Sequence, residues 1–229
     1  MRKAILLCVL GLAAGFAISF LGCAKNGSAV LEPASAGPVS SSAIKNQTTV
    51  GTPEAPASPN LSLNTSKVKF ACDVLEAIKA RDYPALAHMI HPEKGVVFTP
   101  YSSVDLTANL KFTRTQIGAL AGNSQTYVWG VYDGAGNPIK MTMSEYFEKF
   151  VFNTDYTAAP VIGVNKIIQS GNSLENVQKV FPTAQFVEFH YPSLDPEKEG
   201  MDWCSLKVVF ESYQNTYKVV ALIHSQWTI

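Results

Sequence analysis

The chain has 229 residues and a mass of 24.8 kDa, and its 18 basic and 18 acidic side chains cancel to a formal net charge of zero. This length favours one domain with extra segments and excludes a large multidomain machine. Only 16% of the residues are charged, so the chain lacks the basic field that attracts nucleic acid. We therefore expect no nucleic-acid partner, and no motif predicts a cofactor.

The first 22 residues have the composition of an export signal. Two positive charges precede residues 4–20, which are apolar apart from two glycines and one serine. Gly22 followed by Cys23 resembles the lipobox of bacterial lipoproteins, although Phe20 and Leu21 depart from its usual pattern. The resemblance implies cleavage before Cys23 and attachment of diacylglycerol to the Cys23 thiol.

An uncleaved membrane anchor is the alternative interpretation, because about 20 apolar residues can span a bilayer. Under either interpretation the rest of the chain lies outside the cytoplasm. Acyl chains such as palmitate would hold a lipidated Cys23 at the membrane, since each buried methylene contributes about 0.8 kcal/mol. Ala24 instead of Asp follows the cysteine, which resembles outer-membrane sorting. We expect a protein lipid-anchored to the cell membrane or the outer membrane.

Residues 23–65 are predicted to form the lipidated end and a disordered linker. Residues 24–65 contain no aromatic side chain and are rich in Ser, Ala, Thr, Asn and Pro. Such a segment buries too little apolar surface to offset the entropy of ordering its backbone. The predicted organisation is a signal peptide (1–22), this linker (23–65) and a single domain (66–229).

The predicted domain begins with two helices and a strand. Apolar residues from Ala71 to Ile78 have the i, i+3, i+4, i+7 spacing of an amphipathic helix, which Thr65 or Ser66 can cap. Asp82 followed by Tyr83 and Pro84 predicts the start of a second short helix. The apolar run at 96–98 predicts a strand.

The middle of the domain has turn and capping signals. Residues 113–120 predict a helical turn, and the runs at 127–132 and 139–141 predict a hairpin around a glycine-containing loop. Thr142 and Glu145 fit a capping box that opens a helix over 143–152. Asn172 and Glu175 have the same spacing and predict a short helix that ends at 181–182.

The last fifty residues predict an antiparallel meander, with strands at 185–191, 205–212 and 217–228. Helices followed by a run of strands indicate an α+β domain, in which the N-terminal helices pack on a curved antiparallel sheet. The order of elements, with two helices that include residues 78–83, a strand after Gly95, a middle helix and long closing strands, resembles the NTF2-like superfamily. That resemblance implies a cone-shaped fold around a pocket, from which the segment 153–182 departs.

Four polar residues on the closing strands are the candidate site: Glu188, His190, His224 and Gln226. Glu188 and His190 alternate with apolar residues, so both project from one face of their strand. If His224 lies on the same face, a carboxylate and an imidazole could transfer a proton or bind a ligand. The alternative is a solvated face without a site.

Two further pairs of residues have competing interpretations. His88 and His91 have the i, i+3 spacing of two metal ligands, but nothing nearby completes a zinc site, so we predict no metal. Cys72 and Cys204 are the cysteines of the predicted domain. They either form a disulfide or remain two buried thiols.

The function predicted from these features is a binding or accessory module anchored outside the cytoplasm. Its partner would be a small molecule or an envelope protein. The first alternative is a pocket enzyme with isomerase- or dehydratase-like proton transfer, as the NTF2-like resemblance allows. The second is a structural envelope protein. Fold analogy cannot choose among these classes.

Overall fold

The structure is a computed structural model that describes residues 29–31 and 59–228. The predicted signal peptide, Cys23 and most of the predicted linker lie outside the described residues. Within the described ranges, no helix combines the length and hydrophobicity needed to cross a bilayer.

The predicted helices are present, and the first is longer than expected. Helix α1 begins inside the predicted linker and runs through Thr65 and Ser66 instead of starting at them. Asp82 caps α2, because its carboxylate accepts a hydrogen bond from the Ala85 amide at 2.9 Å. Helix α4 continues directly into a π-helix over Phe147–Val151. The helices are α1 Pro59–Lys79, α2 Tyr83–Met89, α3 Arg114–Gly118, α4 Met143–Tyr146 and α5 Val177–Val180.

Seven strands form one mixed, curved sheet in the order β1-β6-β7-β8-β9-β2-β3, and β4 and β5 form the predicted hairpin beside it. The predicted antiparallel meander is β7-β8-β9, while β1 pairs with β6 and β2 with β9 in parallel. The strands are β1 Ala29–Leu31, β2 Val96–Thr99, β3 Lys111–Phe112, β4 Thr126–Val131, β5 Pro138–Thr142, β6 Val161–Val164, β7 Gln185–Tyr191, β8 Cys204–Tyr213 and β9 Thr216–Gln226.

Two parts of the predicted disordered linker are therefore in regular structure. Strand β1 is a short apolar run whose backbone pairs with β6, and residues 59–65 form the first turns of α1. Backbone pairing supplies hydrogen bonds that composition does not reveal, and Ser and Thr are tolerated within a helix.

Both faces of the central sheet are covered. The inner face packs on α1 to α4 through a large apolar core that contains Val187, Phe189 and Leu206. The outer face is covered by α5 and by the irregular segment before it, residues 166–176, which we call the strap. Gly163 and Gly171 allow close packing here, since an added Cβ would lie 2.7 Å from the Lys166 carbonyl oxygen and 2.9 Å from the Thr228 hydroxyl, respectively.

Candidate functional site

The four predicted site residues lie on opposite faces of the sheet. Glu188 pairs with Lys207 and His190 with Ser205, and directly paired residues project from the same face. His224 pairs with Leu206, an inner-core residue, and Gln226 pairs with Cys204. The hypothesis that His224 shares a pocket with Glu188 is therefore wrong. The pairing register between strands decides which face His224 occupies. The residue spacing within one strand gives no information about that register.

The polar positions of β7 do not form a solvated face. Glu188 is 0% exposed and His190 is 2% exposed. The strap covers Glu188 from outside, where the Ile168 amide donates a hydrogen bond to Glu188 Oε2 at 3.2 Å, and the ring of Trp203 packs beside His190. The solvated alternative is therefore also wrong, because a segment distant in sequence buries this face.

Lys207, which sequence reasoning missed, is the centre of the outer-face cluster. Its side chain is 0% exposed, and its Nζ lies 2.8 Å from Glu175 Oε2 and 3.7 Å from Glu188 Oε2. Nζ also donates a hydrogen bond to the Ser225 hydroxyl at 2.9 Å. One ammonium thus faces two carboxylates in a dry environment, where an isolated charge is very unfavourable.

Glu175 reaches the cluster from the strap. Its sequence neighbourhood predicted a capping box with Asn172, but α5 begins only at Val177, and Asn172 instead donates hydrogen bonds to Thr228. The Glu175 side chain is 10% exposed, so it is the member of the cluster nearest to solvent. A pocket of about 390 Å³ opens beside it, lined by the strap and α5.

The carboxyl of Glu188 is the most constrained group of the cluster. Burial raises its pKa above the ordinary value, and the ammonium of Lys207 opposes that rise. Its Oε1 atom has no hydrogen-bond partner in the part of the chain that the structure describes. The hydroxyl of Thr99 also has no hydrogen-bond partner among the described residues. Thr99 pairs with Ile223 and Ile223 pairs with Lys207, so Thr99 lies in the same row across the sheet as the cluster. The cluster therefore retains unused polar atoms.

His190 lies at the end of the cluster. Its Nδ1 is 2.8 Å from the Ser205 hydroxyl, and its ring packs 5.9 Å from the ring of Trp203. Burial lowers the pKa of His190 to about 4, and Lys207 adds to this effect. The imidazole is therefore neutral at pH 7 and serves as a hydrogen-bonding group.

His224 and Gln226 belong to the inner face. Nε2 of His224 is 3.0 Å from the Gln226 side-chain oxygen, and its ring packs 5.6 Å from that of Phe150. Burial lowers the pKa of His224 to about 4. A neutral imidazole in an aromatic core explains this residue without a ligand.

Cys72 and Cys204 match neither of the two interpretations that the sequence left open. Cys204 is a free buried thiol, whereas Cys72 is disulfide-bonded, so the two do not bond to each other. Burial raises the pKa of Cys204, whose side chain lies against those of Tyr156 and Asn153. The Cys72–Cys204 disulfide is therefore wrong.

The histidine pair at the C-terminal end of α2 has a local structural explanation. Nδ1 of His91 accepts hydrogen bonds from the amides of Glu93 and Lys94 at 3.2 and 3.1 Å, which turns the chain after the helix. His88 lies within the helix, and its carbonyl accepts a hydrogen bond from Lys218. Across residues 29–31 and 59–228, no three metal-ligating side chains cluster together.

One sequence signal could have identified the cluster. Lys207 interrupts the apolar run of β8, between Leu206 and Val208, where an unpaired charge would be too unfavourable to bury. A partner carboxylate on the neighbouring strand is the natural inference, and Glu188 is available. The second carboxylate, Glu175, could not be inferred because it belongs to an irregular segment.

The described residues form an α+β domain with a mixed sheet buried on both faces and an ionic cluster under a strap. No family model matches the sequence, and no curated protein matches it.

Solved structures give remote similarities. Aln2 from a Streptomyces species is 10% identical, with 74% of this chain and 92% of that chain covered and a TM-score of 0.32. An NTF2-like protein of unknown function from Shewanella baltica is 8% identical, with 73% and 95% covered and a TM-score of 0.31. A putative calcium/calmodulin dependent protein kinase II association domain from Xanthomonas campestris is 12% identical, with 80% and 97% covered and a TM-score of 0.28.

Proposed function

We propose that this protein is a ligand-binding module, anchored outside the cytoplasm through lipid on Cys23, with an NTF2-like domain that holds its ligand on the outer face of the sheet. The lipobox-like sequence supports the anchor. The single observation that supports ligand binding is the buried ammonium of Lys207 beneath the strap. Burying such a cluster is often no better for stability than apolar packing, so stability alone is a weak reason for its presence.

Binding is a better explanation of the cluster than proton transfer. A general base works best when its pKa is near the operating pH. Burial lowers the pKa of His190 to about 4, so its imidazole is a weak proton acceptor at neutral pH. His224 lies on the other face, which removes the second histidine of the enzyme hypothesis. The remaining groups, an ammonium, hydroxyls and carboxylates, are suited to recognising a polar ligand.

The anchor makes a testable prediction about thiols. Removal of residues 1–22 takes Cys8 away, and acylation occupies the sulfur of Cys23. The mature lipoprotein should therefore lack a free thiol at Cys23.

Mass spectrometry of the membrane fraction tests the anchor. We expect an acylated Cys23, and loss of the lipid-modified form in a Cys23→Ser variant. A mature protein with bare Cys23 bonded to Cys72, or a chain that keeps its leader in the cytosolic fraction, would show that the anchor is wrong.

Binding is tested by NMR on the mature protein. Mixtures of small acids, amines and sugars should shift the amide of Ile168 and its neighbours in the strap. The Lys207→Met variant should lose these shifts, whereas Lys140→Met, at an exposed position on β5, should keep them. If no compound shifts the strap, or if folded Lys207→Met behaves like the wild type, ligand binding at this face is refuted.

A second candidate function is contact with another envelope protein. Four large apolar side chains are exposed in the strap, in the β7–β8 connection and after β9: Leu174 (67%), Leu194 (45%), Met201 (55%) and Trp227 (40%). Exposed apolar clusters are typical of protein-binding surfaces. Photo-crosslinking in cells from position 227 should capture a defined partner, and an unmodified protein would count against this function.

A further inference from the structure

Glu175 differs from the other members of the outer-face cluster because it does not belong to the sheet. Lys207, Glu188 and Ser225 are on adjacent strands, whereas the Glu175 carboxylate comes from the strap and sits 2.8 Å from Nζ of Lys207. The sheet by itself contains one ammonium and one buried carboxylate. Glu175 adds a second carboxylate and leaves the cluster with an excess of negative groups, which pairing alone does not require.

We propose that Glu175 occupies the place of a ligand's carboxylate, and that a small carboxylic acid with an apolar body binds Lys207 and Ser225 when Glu175 turns away. This inference rests on the proposed ligand-binding function and names its ligand class. The incoming carboxylate has the same charge as the one it replaces. The exchange therefore leaves the buried charge of the cluster unchanged.

The surroundings of Glu175 allow this exchange. The next residue, Asn176, is held to the Val104 backbone by hydrogen bonds of 2.8 and 2.9 Å, so the backbone beside Glu175 is fixed. The Glu175 side chain itself lines the 390 Å³ pocket, into which it can rotate. A side-chain rotation therefore opens the site without displacement of the strap.

The pocket also indicates the apolar part of the ligand. Its lining includes Ile167, Leu174, Val177 and Val180, with polar side chains from the strap and α5 beside them. Because Glu175 belongs to the same lining and lies 2.8 Å from Nζ of Lys207, an apolar body on these residues would place its carboxylate where that of Glu175 lies. The unpartnered Oε1 of Glu188, which is completely buried, is a further polar atom available to a ligand hydroxyl or amide.

Benzoate and its neutral analogue benzamide are suitable probes for the mature protein. Glu175→Ala removes the internal competitor, so benzoate should bind this variant at least about tenfold more tightly than it binds the wild type. Benzamide should bind neither form measurably. Glu197→Ala, at an exposed position in the β7–β8 connection, is the matched control and should bind benzoate as the wild type does.

Calorimetry and thermal shift provide the measurements, and Glu175→Gln repeats the test if the alanine variant does not fold. Benzoate should raise the melting temperature of the Glu175 variants, and adding Lys207→Met should abolish this shift. Equal binding of benzoate and benzamide, no gain on replacing Glu175, or binding that survives Lys207→Met would each overturn the inference. If benzoate fails but other compounds shift the strap in a Lys207-dependent way, the ligand class is wrong and the proposed function stands.

Discussion

Lys207→Met is the substitution for which the structure predicts the largest and most specific effect. It removes the ammonium and leaves Glu188, which is 0% exposed, without a counter-charge. Glu175 can turn toward solvent, but Glu188 cannot. Removing one partner of a buried ion pair costs about 3–5 kcal/mol, more than a similarly sized apolar side chain regains by burial. We expect the free energy of unfolding at pH 7 to fall by about this amount.

The pH dependence of this loss identifies its cause. Burial raises the pKa of Glu188 in the folded protein, and Lys207 opposes that rise. Without Lys207 the folded-state pKa is higher still, so the folded state binds a proton that the unfolded state releases. Stability from such a group is present at low pH and is lost as the pH rises through the folded-state pKa. The difference in unfolding free energy between the wild type and the variant should therefore become smaller as the pH falls from 7 to 5.

Equilibrium urea denaturation, monitored by tryptophan fluorescence, measures the loss of unfolding free energy and its change with pH. Each variant is compared with the wild type at the same pH, which removes contributions common to both proteins. Lys140→Met should change stability by less than about 0.5 kcal/mol. Adding Glu188→Leu to Lys207→Met should recover much of the loss, because no buried charge is left on the sheet. A loss below about 1 kcal/mol, or a loss that does not change with pH, would refute this account of the cluster.

Three other predictions concern different parts of the fold. The pKa values of His190 and His224 are about 4 when folded, below the ordinary value of 6.5. The unfolded state therefore binds more protons than the folded state below pH 6.5. Urea denaturation should show each histidine lowering the free energy of unfolding by about 2 kcal/mol between pH 7 and pH 5. If the dependence of this free energy on pH is unchanged after both histidines are replaced with Gln, the prediction is contradicted. Gly163→Ala places a Cβ 2.7 Å from a backbone oxygen of the strap. This substitution should lower the free energy of unfolding by about 1–3 kcal/mol and speed hydrogen exchange at the Ile168 amide. An exchange rate equal to that of the wild type would show that the packing is not tight. Thr142→Ala removes the capping box of α4 and should lower the free energy of unfolding, measured by urea denaturation, by about 1 kcal/mol, whereas a neutral result would mean that the cap is not needed.

The elements with strong local signals were predictable from the sequence. The capping box at Thr142, the helical turn at 113–120, the helix start at Asp82 and the alternation along β7 are short-range patterns, and the structure contains an element at each. The turn at 214–215 joins β8 and β9 with both residues at positive φ, as a tight hairpin requires. Local chemistry therefore predicted most of the helices and the closing meander.

The sequence predicted only part of the candidate site, because the rest depends on contacts between segments that are separated along the chain. Alternation correctly placed Glu188 and His190 on one face, but it could not show that the strap buries that face. It also could not give the register that sends His224 to the inner core. Strand β6, which leads into the strap, was missed although its apolar, β-branched run between Pro160 and Asn165 is a strand signal. Register and long-range coverage are properties of the folded chain, not of any short window.

The location of the site follows from how the two faces of the sheet are filled. On the inner face, Trp129 stacks on Tyr146 with ring centroids 3.7 Å apart and planes 13° apart, and both side chains are almost completely buried. These rings pack against each other within the apolar core. On the outer face, the strap covers Lys207, the only buried lysine among the described residues. Since the charged chemistry is on this face, substitutions in the strap and at Lys207 should alter binding more than substitutions in the aromatic core, which should alter stability.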